Sequence, residues 1–291
     1  MDKIYSQFNY YIEKTIKECN EKSSSPNEII SICNVTSKQL FKIIEKNVNI
    51  NKKYRKFIFF NVFFSSFLKI NVSIKEEMAI ITKQYESLVN KYSVVVNLLN
   101  AEQYESAIII YRSLYEGLAI TEYLLTKGND EKINLYHYLS VKRFNEAFNI
   151  EGSECYPIYQ KMINDDNYKI LLEKNKYEGN DYEYGWTGIV PKKQKVKFEE
   201  ILKELLDDEK FKIALDCFKV MYKLSSEVVH SNNSAIFFEK KILEDILYIG
   251  LDGFMLPWMN YIANKMIENN DGMDKKVLQI IYDIAKEKYK E

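Results

Sequence analysis

Apolar residues in this chain recur every three or four positions over nearly its whole length, which is the spacing of one face of an α-helix. No stretch sustains the alternation of apolar and polar residues that a half-buried strand needs. The 291 residues include only 9 Gly and 4 Pro, so few turns interrupt the pattern. These features predict an all-α fold, a multi-helix bundle of about ten helices.

The sequence predicts two segments, an N-terminal helical segment over residues 1–72 that packs on the core and a main bundle over residues 73–291. Ser73 suits an N-cap, and Glu76 three residues later completes a capping box. Pro26 suits the first turn of an earlier helix. The predicted helices span residues 2–19, 27–47, 52–70, 73–100, 101–127, 131–149, 197–206, 209–230, 234–267 (kinked near Gly253 and Pro257) and 274–288.

Turn residues concentrate between residues 150 and 195, where four of the nine glycines and two of the four prolines lie. Long loops within compact domains are usually functional or disordered. Because the segment around Trp186 is rich in aromatic residues, we expect an ordered flap beside the polar centre of the protein. Trp186 is then a candidate substrate-binding residue.

Charge and cysteine content exclude some classes of function. With 41 basic and 42 acidic residues, the net charge of −1 gives no overall electrostatic footprint for nucleic acid, although a local basic patch stays open. The four cysteines are scattered, with no C-x-x-C spacing. We therefore expect free thiols, no metal site and no cofactor.

The sequence also indicates a cytoplasmic protein with no membrane partner. Its first residues lack an uninterrupted apolar signal core. The most apolar run, Phe57–Leu68, is too short to cross a bilayer and predicts a buried helix instead.

The helix predicted over residues 101–127 carries charged groups inside an apolar run. Glu105, Arg112 and Glu116 fall within an arc of about 40° on a helical wheel. A second arc holds the small residues Ser106, Ser113 and Gly117, which let another helix approach closely. Arg112 and Glu116 form either a partly buried pair that requires further partners or a solvated surface pair.

The helix predicted over residues 209–230 has a second set of polar groups. Its aliphatic face consists of Cys217, Met221, Leu224 and Val228. The opposite face carries Tyr222, Ser226 and His230, at steps of four. The helix dipole favours a protonated imidazole at a helix C-terminus, so His230 is a candidate acid/base, the alternative being a surface or capping histidine.

Two short motifs, Arg-Ser-Leu-x-Glu at 112–116 and Ser-x-x-x-His at 226–230, resemble those of an uncharacterised bacterial family of helical proteins. The resemblance covers roughly residues 75–265. It implies that the polar side chains of the two helices converge on one centre, made of Arg112, Glu116, Tyr222, Ser226 and His230.

More remotely, a helix-borne histidine after a polar residue is similar to the HEPN superfamily of helical bundles, many of them dimeric ribonucleases of toxin and phage-defence systems. The HEPN arginine four to six residues before the histidine is missing, because positions 224–226 hold Leu, Ser and Ser. The resemblance implies an RNA- or nucleotide-binding protein, with ribonuclease-like activity left open. In such a protein, His230 would be the acid/base, Arg112 would hold a phosphate and Glu116 would orient Arg112.

Two alternatives stay open beside this hypothesis. The same residues could form a structural polar network in a non-catalytic bundle that recognises a protein partner or a second copy. A metal-dependent hydrolase would need a spacing such as H-x-x-x-H, which the sequence lacks.

The flap hypothesis predicts that Trp186 is packed rather than exposed. With Trp258→Phe removing the other tryptophan, acrylamide should quench the remaining fluorescence only weakly, because a packed indole excludes the quencher. Quenching as strong as that of a free indole would contradict an ordered flap.

Overall fold

The computed structural model describes residues 2–22, 25–47, 49–69, 78–148, 196–229, 240–267 and 272–289, with a few single residues between 157 and 187. These described residues form α-helices and no strand, which confirms the all-α bundle. The helices number ten if the continuous helical run 240–266 is counted once, and eleven if its two α-helical parts are named separately, as they are below. The helices are α1 (Asp2–Lys22), α2 (Pro26–Glu45), α3 (Arg55–Lys69), α4 (Ala79–Asn100), α5 (Tyr104–Thr126), α6 (Asp130–Phe148), α7 (Phe198–Leu205), α8 (Asp208–Val229), α9 (Lys240–Gly250), α10 (Leu256–Met266) and α11 (Met273–Lys288).

The chain forms two compact units, one made of Met1–Leu118 with Cys217–Glu291 and the other of Ala119–Asp216. The predicted division at residue 72 falls among residues outside the described ranges and stays a prediction.

The helix α3 lies at the centre of the first unit. All six of its phenylalanines are buried, as predicted for the apolar run within it. They meet aromatic rings of five other helices, at Phe8 in α1, Phe41 in α2, Tyr85 and Tyr92 in α4, Tyr248 in α9 and Tyr282 in α11. Ring pairs of this kind combine a large buried area with a preferred edge-to-face geometry, so they fix how the helices surround α3.

The helices α1 and α2 form a hairpin whose second helix begins with a capping box. The Ser25 hydroxyl accepts a hydrogen bond from the Glu28 backbone N–H, and the Glu28 carboxylate accepts one from the Ser25 N–H. Pro26 occupies the first turn, as the sequence predicted.

Small side chains line the seam between these two helices. The hydroxyls of Thr15 and Thr36 are 2.5 Å apart, and one turn away the thiols of Cys19 and Cys33 are both buried. Burial raises the pKa of Cys33 to about 12 and also raises that of Cys19, so both sulfurs are protonated at neutral pH. Of the described cysteines, which also include Cys217, none forms a disulfide; Cys155 lies outside the described residues.

Three residues join α4 to α5 in a tight Schellman turn. Gln103 N–H donates to the Leu98 carbonyl at 2.8 Å, and Glu102 N–H donates to the Leu99 carbonyl at 3.0 Å. Glu102 has a φ of 58°, a left-handed conformation for which glycine is the usual residue. The short connection makes α4 and α5 antiparallel neighbours, and this pairing positions the candidate site.

A π-helical segment, Leu251–Met255, lies between α9 and α10, where the sequence predicted a kink. The Leu256 N–H donates five residues back, to the Leu251 carbonyl. In a regular α-helix the ring of Pro257 would clash with the Gly253 carbonyl, so the wider turn accommodates the proline.

The second unit is described by its helices α6 and α7 and the adjoining ends of α5 and α8. The Asn129 side chain accepts from the Lys132 N–H at the start of α6, and the Asp207 side chain caps α8 by accepting from the Lys210 N–H. The Tyr123 hydroxyl donates to the Thr187 carbonyl at 3.2 Å.

Several predictions fall outside the described residues. They are the Ser73–Glu76 capping box, the packing of Trp186 and, apart from a few single residues, the predicted flap at 150–195. Among the described helices, none is long and apolar enough to cross a membrane.

Two glycines near the π segment provide a matched test of packing. A Cβ on Gly250 would collide with the hydroxyl of Tyr111, whereas a Cβ on Gly253 would meet nothing within 4 Å. Gly250→Ala should lower the free energy of unfolding by about 1–2 kcal/mol, since overpacking outweighs the gain in helix propensity. Gly253→Ala should leave it unchanged or raise it by up to about 1 kcal/mol.

Urea denaturation of both variants checks this prediction, with Tyr111→Phe as a second-site change. Removing the hydroxyl should restore part of the stability that Gly250→Ala loses. Equal stability of the two alanine variants would show that Tyr111 does not lie against Gly250.

Candidate functional site

The candidate site begins with a close approach between α4 and α5 at Gly117. A Cβ there would lie 2.5 Å from Leu88 Cδ2, and Leu88 is fully buried. The close approach predicted for the small-residue stripe thus occurs at Gly117, with Ser113 half-buried and Ser106 exposed. The contact fixes which face of α5 remains for the charged residues.

Arg112 and Glu116 on that remaining face form an ion pair one helical turn apart. Arg112 Nε donates to Glu116 Oε1 at 3.0 Å. The two side chains are 31% and 23% exposed, so the pair lies between the buried and solvated alternatives. Because the hydrogen bond uses Nε, the two terminal amino groups of the guanidinium are left to other acceptors.

Tyr222 joins this pair from α8, the helix predicted over residues 209–230. The centre of its ring lies 3.8 Å from Arg112 Cζ, a stacking distance. Met221 and Leu224 are buried on the other side of α8, as predicted, and Tyr222 remains 46% exposed. The structure therefore brings together three of the predicted site residues, Arg112, Glu116 and Tyr222.

The other predicted site residues are placed less fully. Ser226 lies one turn beyond Tyr222 on α8 and is half-buried. Its contacts within the described part of the chain include no hydrogen bond to Arg112 or Glu116. His230 and Trp186 lie outside the described residues.

Lys91 of α4 also reaches the cluster, and the sequence-based prediction missed it. Its Nζ donates to the Ser113 carbonyl at 3.5 Å. Burial lowers the pKa of Lys91, and the negative charge of Glu116 partly opposes that effect. The short α4–α5 connection could have revealed it, because Lys91 and Ser113 each lie eleven residues from Glu102 and so face each other across the hairpin.

The cluster of Lys91, Arg112, Glu116 and Tyr222 is hereafter the cationic cluster. It holds two positive charges and one negative charge beside a half-exposed ring, an arrangement suited to binding an anion such as a phosphate. Within the described residues, no three side chains that ligate metals come together.

These features define an all-helical protein in which two antiparallel helices and a third hold cations against a carboxylate and an aromatic ring. The chain belongs to the family of unknown function DUF5677, which matches residues 78–244, more than half of its length. The match confirms the resemblance to an uncharacterised family, and it includes every residue of the cationic cluster. No curated protein and no solved structure matches the chain.

The geometry predicts a moderate contribution of Arg112 to stability. Arg112→Ala should lower the free energy of unfolding by about 1–2 kcal/mol, because a half-exposed ion pair and a cation–π contact each contribute up to about 1 kcal/mol. Lys219→Ala, which removes an exposed cation of α8, should change it by less than about 0.5 kcal/mol.

A double-mutant cycle between Arg112→Ala and Tyr222→Ala, measured by urea unfolding, isolates the stacking contact. A coupling of about 0.5–1 kcal/mol is expected. Strictly additive effects would mean that the guanidinium does not rest on the Tyr222 ring in solution.

Proposed function

We propose that this chain is a HEPN-like helical protein of the cytoplasm that binds RNA or a nucleotide, as an effector of a bacterial toxin or phage-defence system. One observation carries the binding role: Arg112 is held from two sides, by the Glu116 carboxylate at 3.0 Å and by the Tyr222 ring at 3.8 Å. An arginine held in this way loses little side-chain entropy on binding. Its terminal amino groups form a fork that matches two phosphate oxygens.

The proposed roles of the other residues follow from a phosphate bound to the Arg112 guanidinium. Glu116 orients Arg112, and the hydroxyls of Tyr222 and Ser226 hold the substrate beside it. His230, which follows Ser226 by one helical turn in sequence, is the general acid or base. Arg112 then supplies, from another helix, the cation that HEPN proteins carry four to six residues before the histidine.

Charge and exposure support a local rather than a global site. The chain is almost neutral, so attraction of RNA must come from a limited surface. Lys219 and Lys223 are exposed on α8, on either side of Tyr222 in sequence, and add positive charge beside the cluster. The half-exposed Tyr222 ring offers an edge and a hydroxyl to a base or a ribose.

A non-catalytic role is the second candidate, in which the cluster is a structural network and the protein recognises a protein partner or a second copy. The partial burial of both the Arg112 and Glu116 side chains favours this candidate, because Glu116 holds Arg112 in position while Arg112 stacks on Tyr222 and so ties α5 to α8. The two candidates differ in what removal of a single side chain does.

The proposal predicts separate losses of binding and of chemistry. Arg112→Ala should weaken binding of a short single-stranded RNA about tenfold or more, the value of a charged hydrogen bond, and Arg112→Lys should lose part of it because an ammonium lacks the fork. His230→Ala should keep binding and the melting temperature while abolishing RNA cleavage and toxicity on expression. Fluorescence anisotropy, gel-based cleavage and growth assays make these measurements.

Lys219→Ala is the matched control, since it removes one nearby positive charge without touching the stack. It should change RNA affinity by no more than about threefold. Equal losses of RNA affinity in Lys219→Ala and Arg112→Ala would show that the cluster contributes only general charge attraction. A His230→Ala variant that melts far below the wild type, or wild-type protein that binds neither RNA nor a nucleotide, would favour the non-catalytic candidate.

A further inference from the structure

Glu116 poses a problem for any anion that binds to Arg112. Its carboxylate lies 3.0 Å from Arg112 Nε, so a phosphate on the terminal amino groups comes within a few ångströms of a second negative charge. In a half-buried site that repulsion is only partly screened. The carboxylate must therefore find another cation, or the phosphate binds weakly.

Lys91 is a second cation on which the charge of the same carboxylate acts. Its ammonium rests against the Ser113 carbonyl at 3.5 Å, the outer limit of a hydrogen bond, and lies 3.9 Å from where a Cβ on Gly117 would stand. Because Gly117 has no side chain, α4 packs closely against α5 there, and this close packing brings Lys91 to the side of α5 that also carries Glu116. Burial lowers the pKa of Lys91 despite the charge of Glu116, so its ammonium is incompletely compensated.

We propose that Lys91 is a positioning residue of the anion site, receiving the Glu116 carboxylate when the phosphate of a nucleotide or RNA takes its place on Arg112. This inference rests on the proposed function: Glu116 orients Arg112 in the free protein, and its carboxylate turns to Lys91 once a phosphate occupies the guanidinium. On α5, Glu116 lies between the direction of Arg112 and the direction of Gly117, so rotation about its side-chain bonds carries the carboxylate from one cation towards the other. Lys91 itself need not touch the ligand.

This exchange, in which the Glu116 carboxylate leaves Arg112 for Lys91, makes ligand affinity depend on the protonation of Lys91. Glu116 is the charged group that acts on Lys91 in the described part of the chain. In the bound state the closer carboxylate raises the pKa of Lys91, so binding takes up a proton wherever free Lys91 has begun to lose its own. Affinity for the phosphate should therefore fall as the pH rises through the lowered pKa of Lys91.

Adenosine 5′-monophosphate is the probe for the test, titrated into the full-length protein by calorimetry. Lys91→Met keeps the length of the side chain and removes its charge, and it should weaken binding about tenfold. In a Glu116→Gln background, where no carboxylate needs a new partner, Lys91→Met should change the affinity by less than about twofold. Lys91→Arg should keep its affinity at alkaline pH, where the wild type loses it.

The outcomes distinguish this inference from the function on which it rests. If Lys91→Met weakens binding equally with and without the Glu116 carboxylate, or if Lys91→Arg follows the wild-type pH profile, the exchange is wrong although the anion site stands. If the wild type does not bind the probe, or if Arg112→Ala binds it as the wild type does, the proposed function fails and the exchange fails with it. Melting temperatures close to that of the wild type show that the variants are folded.

Discussion

The burial of α3 is the constraint on which the described part of the first unit depends. A helix that is apolar on every side must be covered on every side, and its six phenylalanines are each at most 2% exposed. Each fully buried phenylalanine contributes about 1.5–3 kcal/mol relative to an exposed one, before the entropy of ordering the chain is subtracted. Five helices supply the aromatic partners, so the position of each is set by the same central element.

The cationic cluster is placed by this apolar packing rather than by its own contacts. Tyr85 and Tyr92 hold α4 on α3, and α4 in turn carries Lys91 and meets α5 at Gly117. On its other side α5 is fixed where Tyr111, next to Arg112, lies against Gly250. The ion pair and the stack need only fix side-chain positions on helices that are already in place, which is why their expected contribution to stability is moderate.

Periodicity predicted the helices well because each amphipathic face is a local property of the sequence. The i, i+4 spacing of Arg112 and Glu116 is local too, and so was predictable. The stack of Arg112 on Tyr222 was inferred only as a convergence, since a helical wheel gives the face of a residue but not the helix that covers it. The left-handed conformation of Glu102 could not be predicted, because the usual turn signals point to glycine. Lys91 could have been predicted as a neighbour of Ser113, because the short connection makes α4 and α5 a hairpin.

The half-burial of the cluster bears on its chemistry as much as on its stability. A fully buried Arg112–Glu116 pair could not give up its carboxylate without leaving a charge stranded, and a fully exposed pair would hold nothing in place. The region that matches the family, residues 78–244, contains the cluster but not α3, which supplies the centre of the core. The central helix of the core and the cluster therefore lie in different parts of the sequence. Substitutions in the cluster should therefore leave the protein folded, so they can test the proposed binding directly.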